Sequence, residues 1–225
     1  MLIGFDSSKI SARDDETLTA ADIATLTSGP LAIDTLGQNL YTPTTNGCWV
    51  GDDGDYTNNV FNNVSQDLIL VLWGPGYATE FFQNHQPELT LSIPMGQNRT
   101  FSCAENSTGA WGALYDQYSM RLGMINNTIG EFSFNRTKGA FDVSREPNMF
   151  GHGMSIVGPD CTSDFDHCFF QCIEPNAPNC YQDNTYELVN CTGPDAQNGT
   201  TPDGQPSGGC GWPGVGVNLI TYLLD

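Results

Sequence analysis

The sequence predicts an all-β protein, an antiparallel β-sandwich carrying a small disulfide-rich loop lobe. Three observations lead there. From Cys48 onward the chain is a succession of short apolar or alternating runs, each too brief for a core helix. Glycine, proline and asparagine punctuate these runs in the manner of turns between strands. Six of the eight cysteines fall between residues 161 and 210, where the strand pattern breaks up into Pro- and Gly-rich sequence.

Residues 1–46 are rich in Asp, Thr, Ala and Ser and contain no Trp or Cys. "TLTAADIATLT" (17–27) has the composition of a weak helix, but little aromatic mass accompanies it, so a flexible N-terminal arm or pro-segment is expected rather than a separate domain. The apolar start Met1–Phe5 is too short for a full signal peptide, and the expectation is a mature chain. Residues 47–225 are expected to form the main domain. Its strands are "DLILVLWG", "ELTLSIP", "RTFSCAE", "GAWGALY", "GEFSFN", "AFDVS", "GMSIVG", "TYELVNC" and the terminal "VNLITYLL". The segment 161–210 is expected as the cysteine-rich lobe. Within it "TGPDAQNGTTPDGQPSGG" (192–209) has no apolar anchor and reads as a mobile loop.

The eight cysteines are Cys48, Cys103, Cys161, Cys168, Cys172, Cys180, Cys191 and Cys210. Their even number predicts four disulfides, with about a hundred pairings open; the short Pro-containing loop between Cys172 and Cys180 singles out that pair. Zinc is the competing reading, but no paired Cys-x-x-Cys sets occur and the three histidines are scattered, so no metal is expected. Asn-x-Ser/Thr occurs at Asn63, Asn98, Asn106, Asn126, Asn135, Asn190 and Asn198. Sequons and disulfides together predict a secreted glycoprotein, extracellular or held in a cell wall. With 26 Asp and Glu against 7 Lys and Arg, the net charge is −19. Such a surface repels phosphate backbones and anionic lipid, so neither nucleic acid nor a membrane is an expected partner.

The chemistry concentrates in "GEFSFNRTKGAFDVSREPNMFGHGM" (130–154). Strand alternation sends Phe132 and Phe134 inward and Glu131 and Ser133 outward. It likewise sends Phe141 and Val143 inward and Asp142 and Ser144 outward. If the two runs pair, Glu131 and Asp142 share one surface, with Glu146 at its edge. Ordinary solvated strand residues would show the same pattern.

"TIGEFSFN", then "FDVS", then "GMSI" resembles the thaumatin-like proteins. "FNNVSQDLILVLWGPG", "ELTLSIPMGQNRTFSCAENSTGAWGA" and "CTSDFDHCFFQC" are similar to other sections of that family in the same order. A nearer match is the family of fungal secreted allergens typified by an Aspergillus allergen, which share the order "LTL", "GAWGA", "GEF-F", "DVS", "GM-I" and a final "VNL". The resemblance implies a thaumatin-like fold with an acidic cleft between the sandwich and the lobe, a β-glucan-type polysaccharide as partner, and no cofactor. It assigns Glu131 and Asp142 as the candidate catalytic pair, while Glu146 or Asn148 stands nearest the third family carboxylate. Two departures are plain. The family's cleft arginine has no counterpart around Cys103-Ala104-Glu105, and the cysteines number half those of plant members.

Three functions remain open on these grounds: a cell-wall polysaccharide-binding glycoprotein, an endo-β-1,3-glucanase using the same carboxylates, and a host-interacting allergen, effector or inhibitor without carbohydrate activity. Were it a hydrolase, Glu131 beside Phe132 and Phe134 is expected to be the proton donor. His152 between glycines is a further candidate at the cleft, and Tyr115 and Tyr118 offer faces on which a sugar could stack. Trp111 reads as core. "GDDGDYTNN" (51–59) clusters Asp52, Asp53 and Asp55, but lacks the distal glutamate of a calcium loop and reads as a solvated turn.

Overall fold

A computed structural model describes residues 18–28, 36–74, 86–115, 119–121, 124–137, 139–180, 182, 185–212 and 214–225. One helix, α1 (Ala20–Ser28), precedes the strands β1 (Cys48–Val50), β2 (Tyr56–Asn62), β3 (Leu68–Trp73), β4 (Leu89–Ile93), β5 (Asn98–Cys103) and β6 (Thr108–Leu114). Two short strands, β7 (Met120–Arg121) and β8 (Met124–Ile125), lead to β9 (Ile129–Ser133), β10 (Ala140–Ser144), β11 (Met154–Val157) and β12 (Thr162–Ser163). The chain ends with β13 (Phe169–Cys172), β14 (Tyr186–Val189), β15 (Ala196–Thr200), β16 (Pro206–Gly211) and β17 (Val217–Leu223).

Among the described residues these strands build two large sheets, and the all-β expectation holds. The six-stranded sheet runs β1-β5-β2-β17-β11-β12, and the nine-stranded sheet runs β14-β13-β10-β9-β6-β3-β4 with β15 and β16 attached beside β10. Neither is purely antiparallel. The terminal strand β17 lies parallel to β2, and β13 lies parallel to β10. Parallel neighbours need long connections, so adjacent runs in the sequence could not reveal them.

The core lies between the sheets. Tyr56, Val60, Leu219 and Phe101 from the first meet Leu70, Leu72, Trp111, Phe132 and Phe141 from the second. Trp111 is fully buried and meets Phe101 edge-on at 5.8 Å, a core role as its spacing indicated. All six residues of β3 are buried, because the outer face of the second sheet is covered there too: Ile69, Val71 and Trp73 pack with Met120, Ile125, Leu18 and Leu36. Leu18 and Leu36 come from residues assigned to a flexible arm. That arm's described part is tied to β4, with Thr19 N–H donating to Ser92 Oγ at 3.0 Å and Gly37 N–H to Thr90 Oγ1 at 3.0 Å. No helix of the described residues is long and apolar enough to cross a membrane.

All eight cysteines pair, as Cys48–Cys103, Cys161–Cys210, Cys168–Cys191 and Cys172–Cys180. Thiol titration of the denatured, unreduced protein should therefore find no free thiol, and two or more per chain would contradict this pairing. The stretch 161–210, expected as a loop-rich lobe, supplies β12 to the first sheet and β13 to β16 to the second. Residues 192–209 do not read as a mobile loop in the structure. They contain the hairpin of β15 and β16, and β16 pairs with β10 through Ala140–Gly211 and Phe141–Cys210. Disulfides from Cys191 and Cys210 hold both ends of that stretch. Backbone pairing and these two bonds supply an anchor that polar composition cannot display.

Candidate functional site

Glu131 and Asp142 are direct cross-strand partners in β9 and β10. They stand on the outer face of the second sheet, in a row that continues through Ala110 to Trp73. Side chains so placed have Cβ atoms about 4.5–5.5 Å apart. The alternation "GEFSF" against "AFDVS" dictates this once the strands pair with no slip, since a one-residue shift would send Asp142 into the core.

What lies beyond Asp142 was not visible in the sequence. The far edge of β10 is shared by two strands. Strand β16 takes Ala140 and Phe141, while β13 takes Val143 and Ser144. Asp142 sits in the fork between them, next to Gly209, and is only 6% exposed. Glu131 and Glu146 are half-buried at its sides. The three carboxyl groups line a cleft of about 410 Å³ with Thr108, Ser133, Phe170, Tyr186, Ser207 and Gly208.

The electrostatics follow from this burial. Asp142 is raised well above the usual aspartate range, first by loss of water and then by the charges of Glu131 and Glu146. Burial lifts Glu146 to about 8, with Glu131 adding repulsion, and lifts Glu131 to about 7; a hydrogen bond from Ser144 opposes the rise in both glutamates. Ser144 Oγ also accepts the Glu146 backbone N–H at 3.3 Å. No basic side chain among the described residues forms an ion pair with the three acids. Arg145, their neighbour in sequence, turns away: its guanidinium lies 4.4 Å over the Phe165 ring and donates to the Met149 carbonyl. One atom of the cluster stands out. Asp142 Oδ1 is buried and has no hydrogen-bond partner among the described residues.

Tyr115, His152 and Asn148 do not line this cleft. Tyr115 and His152 stack on one another with ring centroids 3.7 Å apart, and Tyr115 OH donates to the Leu224 carbonyl. Burial, with help from the Asp225 charge, raises the Tyr115 phenol above its ordinary range. Asn148 donates to the Asn126 carbonyl at 3.1 Å and shapes a turn through Phe150 N–H. Tyr118 lies outside the described residues. Beyond the end of β10 at Ser144, the chain passes Glu146 into a turn that carries Asn148 and His152 elsewhere. The expectation that Glu131 occupies the drier setting also changes, because the deeper burial falls on Asp142. Phe134 points into the core, away from the carboxylates.

Sequence reasoning missed Phe170, Tyr186, Ser207 and Gly208, which reach the cleft from 28 or more residues beyond Asp142. The one available signal was the Gly208–Gly209 pair before Cys210, a pattern that marks close backbone approach. The Asp52–Asp55 turn holds Asp53, whose carboxylate accepts the Trp49 indole N–H at 2.6 Å. The seven sequon asparagines are all at the surface: Asn63, Asn106, Asn190 and Asn198 exposed, and Asn98, Asn126 and Asn135 half-buried.

A sandwich of mixed sheets, cross-linked by four disulfides and carrying a carboxyl-lined cleft, is the class of protein defined so far. A family model, the Allergen Asp f 4-like domain, matches residues 50–188. That is more than half of the chain, and the chain belongs to this family. The matched segment contains all three cleft acids. No curated protein matches. Among solved structures, the crystal structure of the protein elicitor MoHrip2 from Magnaporthe oryzae is similar at 14% identity, over 76% of this chain and 99% of that one, with a TM-score of 0.39.

Proposed function

We propose that this is a secreted, cell-wall-associated fungal glycoprotein that binds a neutral β-glucan-type polysaccharide in the cleft of Glu131, Asp142 and Glu146. The observation that carries the reading is the convergence of three carboxyl groups, Glu131, Asp142 and Glu146, on one open cleft, with Asp142 Oδ1 buried and unpartnered among the described residues. A buried polar atom left without a partner costs about 1–3 kcal/mol, and a turn of the Asp142 carboxyl group toward a ligand hydroxyl would recover it. Protonated carboxyl groups both donate and accept, which matches the hydroxyls of a sugar. Phe170 and Tyr186 add apolar surface for the ring faces. An anionic ligand would be repelled by the ionised acids and by the chain's net charge of −19. The motif resemblance to thaumatin-like proteins and membership of an allergen-named family support the same secreted setting.

A second reading is favoured by the direct opposition of Glu131 and Asp142. Cross-strand placement brings their carboxyl groups within reach of the roughly 5–5.5 Å spacing of retaining glycosidases. In that case Asp142, the more deeply buried, would keep its proton and act as acid, and Glu131, ionising near 7, would be the nucleophile. Retention on insoluble β-glucan, chitin and mannan, with reducing-sugar release assayed in parallel, tests both readings. Binding to β-glucan without release is expected, weakened in Glu131→Gln. Release that Glu131→Gln abolishes would establish the hydrolase. Retention on none of the three would overturn both and leave the host-interacting reading.

A further inference from the structure

We infer that Asn98 carries an N-linked glycan whose first N-acetylglucosamine seats on the free face of the Phe61 ring. Phe61 and Tyr222 are odd residues for a solvent face, and both are half-buried there. They are cross-strand partners on β2 and β17, with rings stacked at 5.5 Å and 29°. Rings stacked between neighbouring strands stand upright from the sheet, and Tyr222 covers one face of Phe61. On the opposite side of β2 from Tyr222 lies β5. There the direct partner of Phe61 in register is Asn98, the acceptor of Asn98-Arg99-Thr100.

Two further facts place the acceptor nitrogen. Asn98 Nδ2 donates to Asn59 Oδ1 at 2.8 Å, so the amide leans over β2, beside Phe61. Strand β1 pairs with β5 only over Phe101–Cys103, which leaves the Asn98 end beyond the last residue of β1 and gives a glycan room to leave the surface. In the transfer, the amide nitrogen gives up one proton and bonds the anomeric carbon of a lipid-diphosphate-linked oligosaccharide, and the lipid diphosphate departs. The nitrogen retains its second proton, so the bond to Asn59 survives modification. The apolar C–H face of the sugar then covers ring surface that water would otherwise wet.

This inference rests on the secreted reading, and the test separates the two. The chain is secreted from a yeast host and its glycopeptides are mapped, with exposed Asn63 as the reference sequon. Occupied Asn98 is expected. Melting is then compared for the wild type, Phe61→Ala and the milder Phe61→Leu, each before and after enzymatic glycan removal. Both Phe61 variants should lower Tm by about 2–4 °C more in the glycosylated form, the shift that corresponds to roughly 1 kcal/mol in a chain of this size. Asn98→Gln should erase that difference. Bare Asn98 beside occupied Asn63 overturns this inference alone, and absence of glycan at both overturns the glycoprotein reading with it. Equal losses in the two forms overturn the seating of the sugar on Phe61.

Discussion

The protein should be most stable in mildly acid solution and should lose about 3 kcal/mol, or roughly 6–12 °C in Tm, as pH rises from 4.5 to 8. The sign follows from the direction of the shifts. Glu131, Glu146 and Asp142 are all raised in the folded state. A carboxyl group with a raised folded pKa makes folding take up a proton. Its destabilising effect is absent below the unfolded pKa near 4 and grows until pH passes the folded value. Here that window runs from about 4 through about 7 for Glu131 and about 8 for Glu146. The rise of Glu131 from 4.5 to about 7 would by itself give the magnitude stated. Glu88 acts in the same direction: burial raises it, against the Cys48 N–H that it accepts. General repulsion within a chain of net charge −19 also grows with pH, and salt distinguishes the two. Surface repulsion is screened at a Debye length of about 3 Å in 1 M salt, whereas a buried cluster is screened far less. The fall in Tm should therefore persist in high salt and flatten in the triple variant Glu131→Gln, Asp142→Asn, Glu146→Gln. A flat profile in the wild type would mean that the three acids are solvated and that the cleft does not exist as described.

Part of this site was legible in the sequence because it depends on one local fact. Two runs with period-two alternation, joined by a short polar connection, place Glu131 and Asp142 on the same outer face whenever they pair. The disulfide content and the buried place of Trp111 were legible for similar reasons, since they follow from residue chemistry more than from topology. Burial of Asp142 was not. It arises because β16 and β13 arrive at one edge of β10 from far along the chain, and nothing near position 142 encodes their arrival. The parallel pairing of β17 with β2, whose partners are about 160 residues apart, is hidden for the same reason. Composition misled at 192–209, where the absence of apolar residues hid a hairpin fixed by backbone hydrogen bonds and flanking disulfides. Proximity in sequence misled at Asn148 and His152, because a turn after Glu146 removes both from the cleft.

Replacing Gly209 with alanine should cost about 2–4 kcal/mol and weaken binding at the cleft, although all three acids remain. Gly209 has φ of +129°, which side chains rarely adopt, and a Cβ there would lie 2.6 Å from the Phe141 carbonyl oxygen and 3.2 Å from Asp142 Oδ2. The carbonyl cannot withdraw easily. Phe141 is paired on one side with Phe132 of β9 and on the other with Cys210, itself tied to Cys161. Relief must come from displacing β16 or Asp142, and either motion opens the fork that buries the acid. Gly193 provides a matched control, with φ of +127° and no atom within 4 Å of an added Cβ. Its alanine variant bears the backbone strain without the collision, about 1 kcal/mol or somewhat more. Thermal melts of the two variants isolate the close approach, with Gly209→Ala melting roughly 5 °C or more below Gly193→Ala. The steeper pH dependence of the wild type should also relax in Gly209→Ala, because Asp142 regains water. Equal melting of the two variants would show that β16 does not press on β10 at Asp142, and the burial of that carboxyl group would lose its cause.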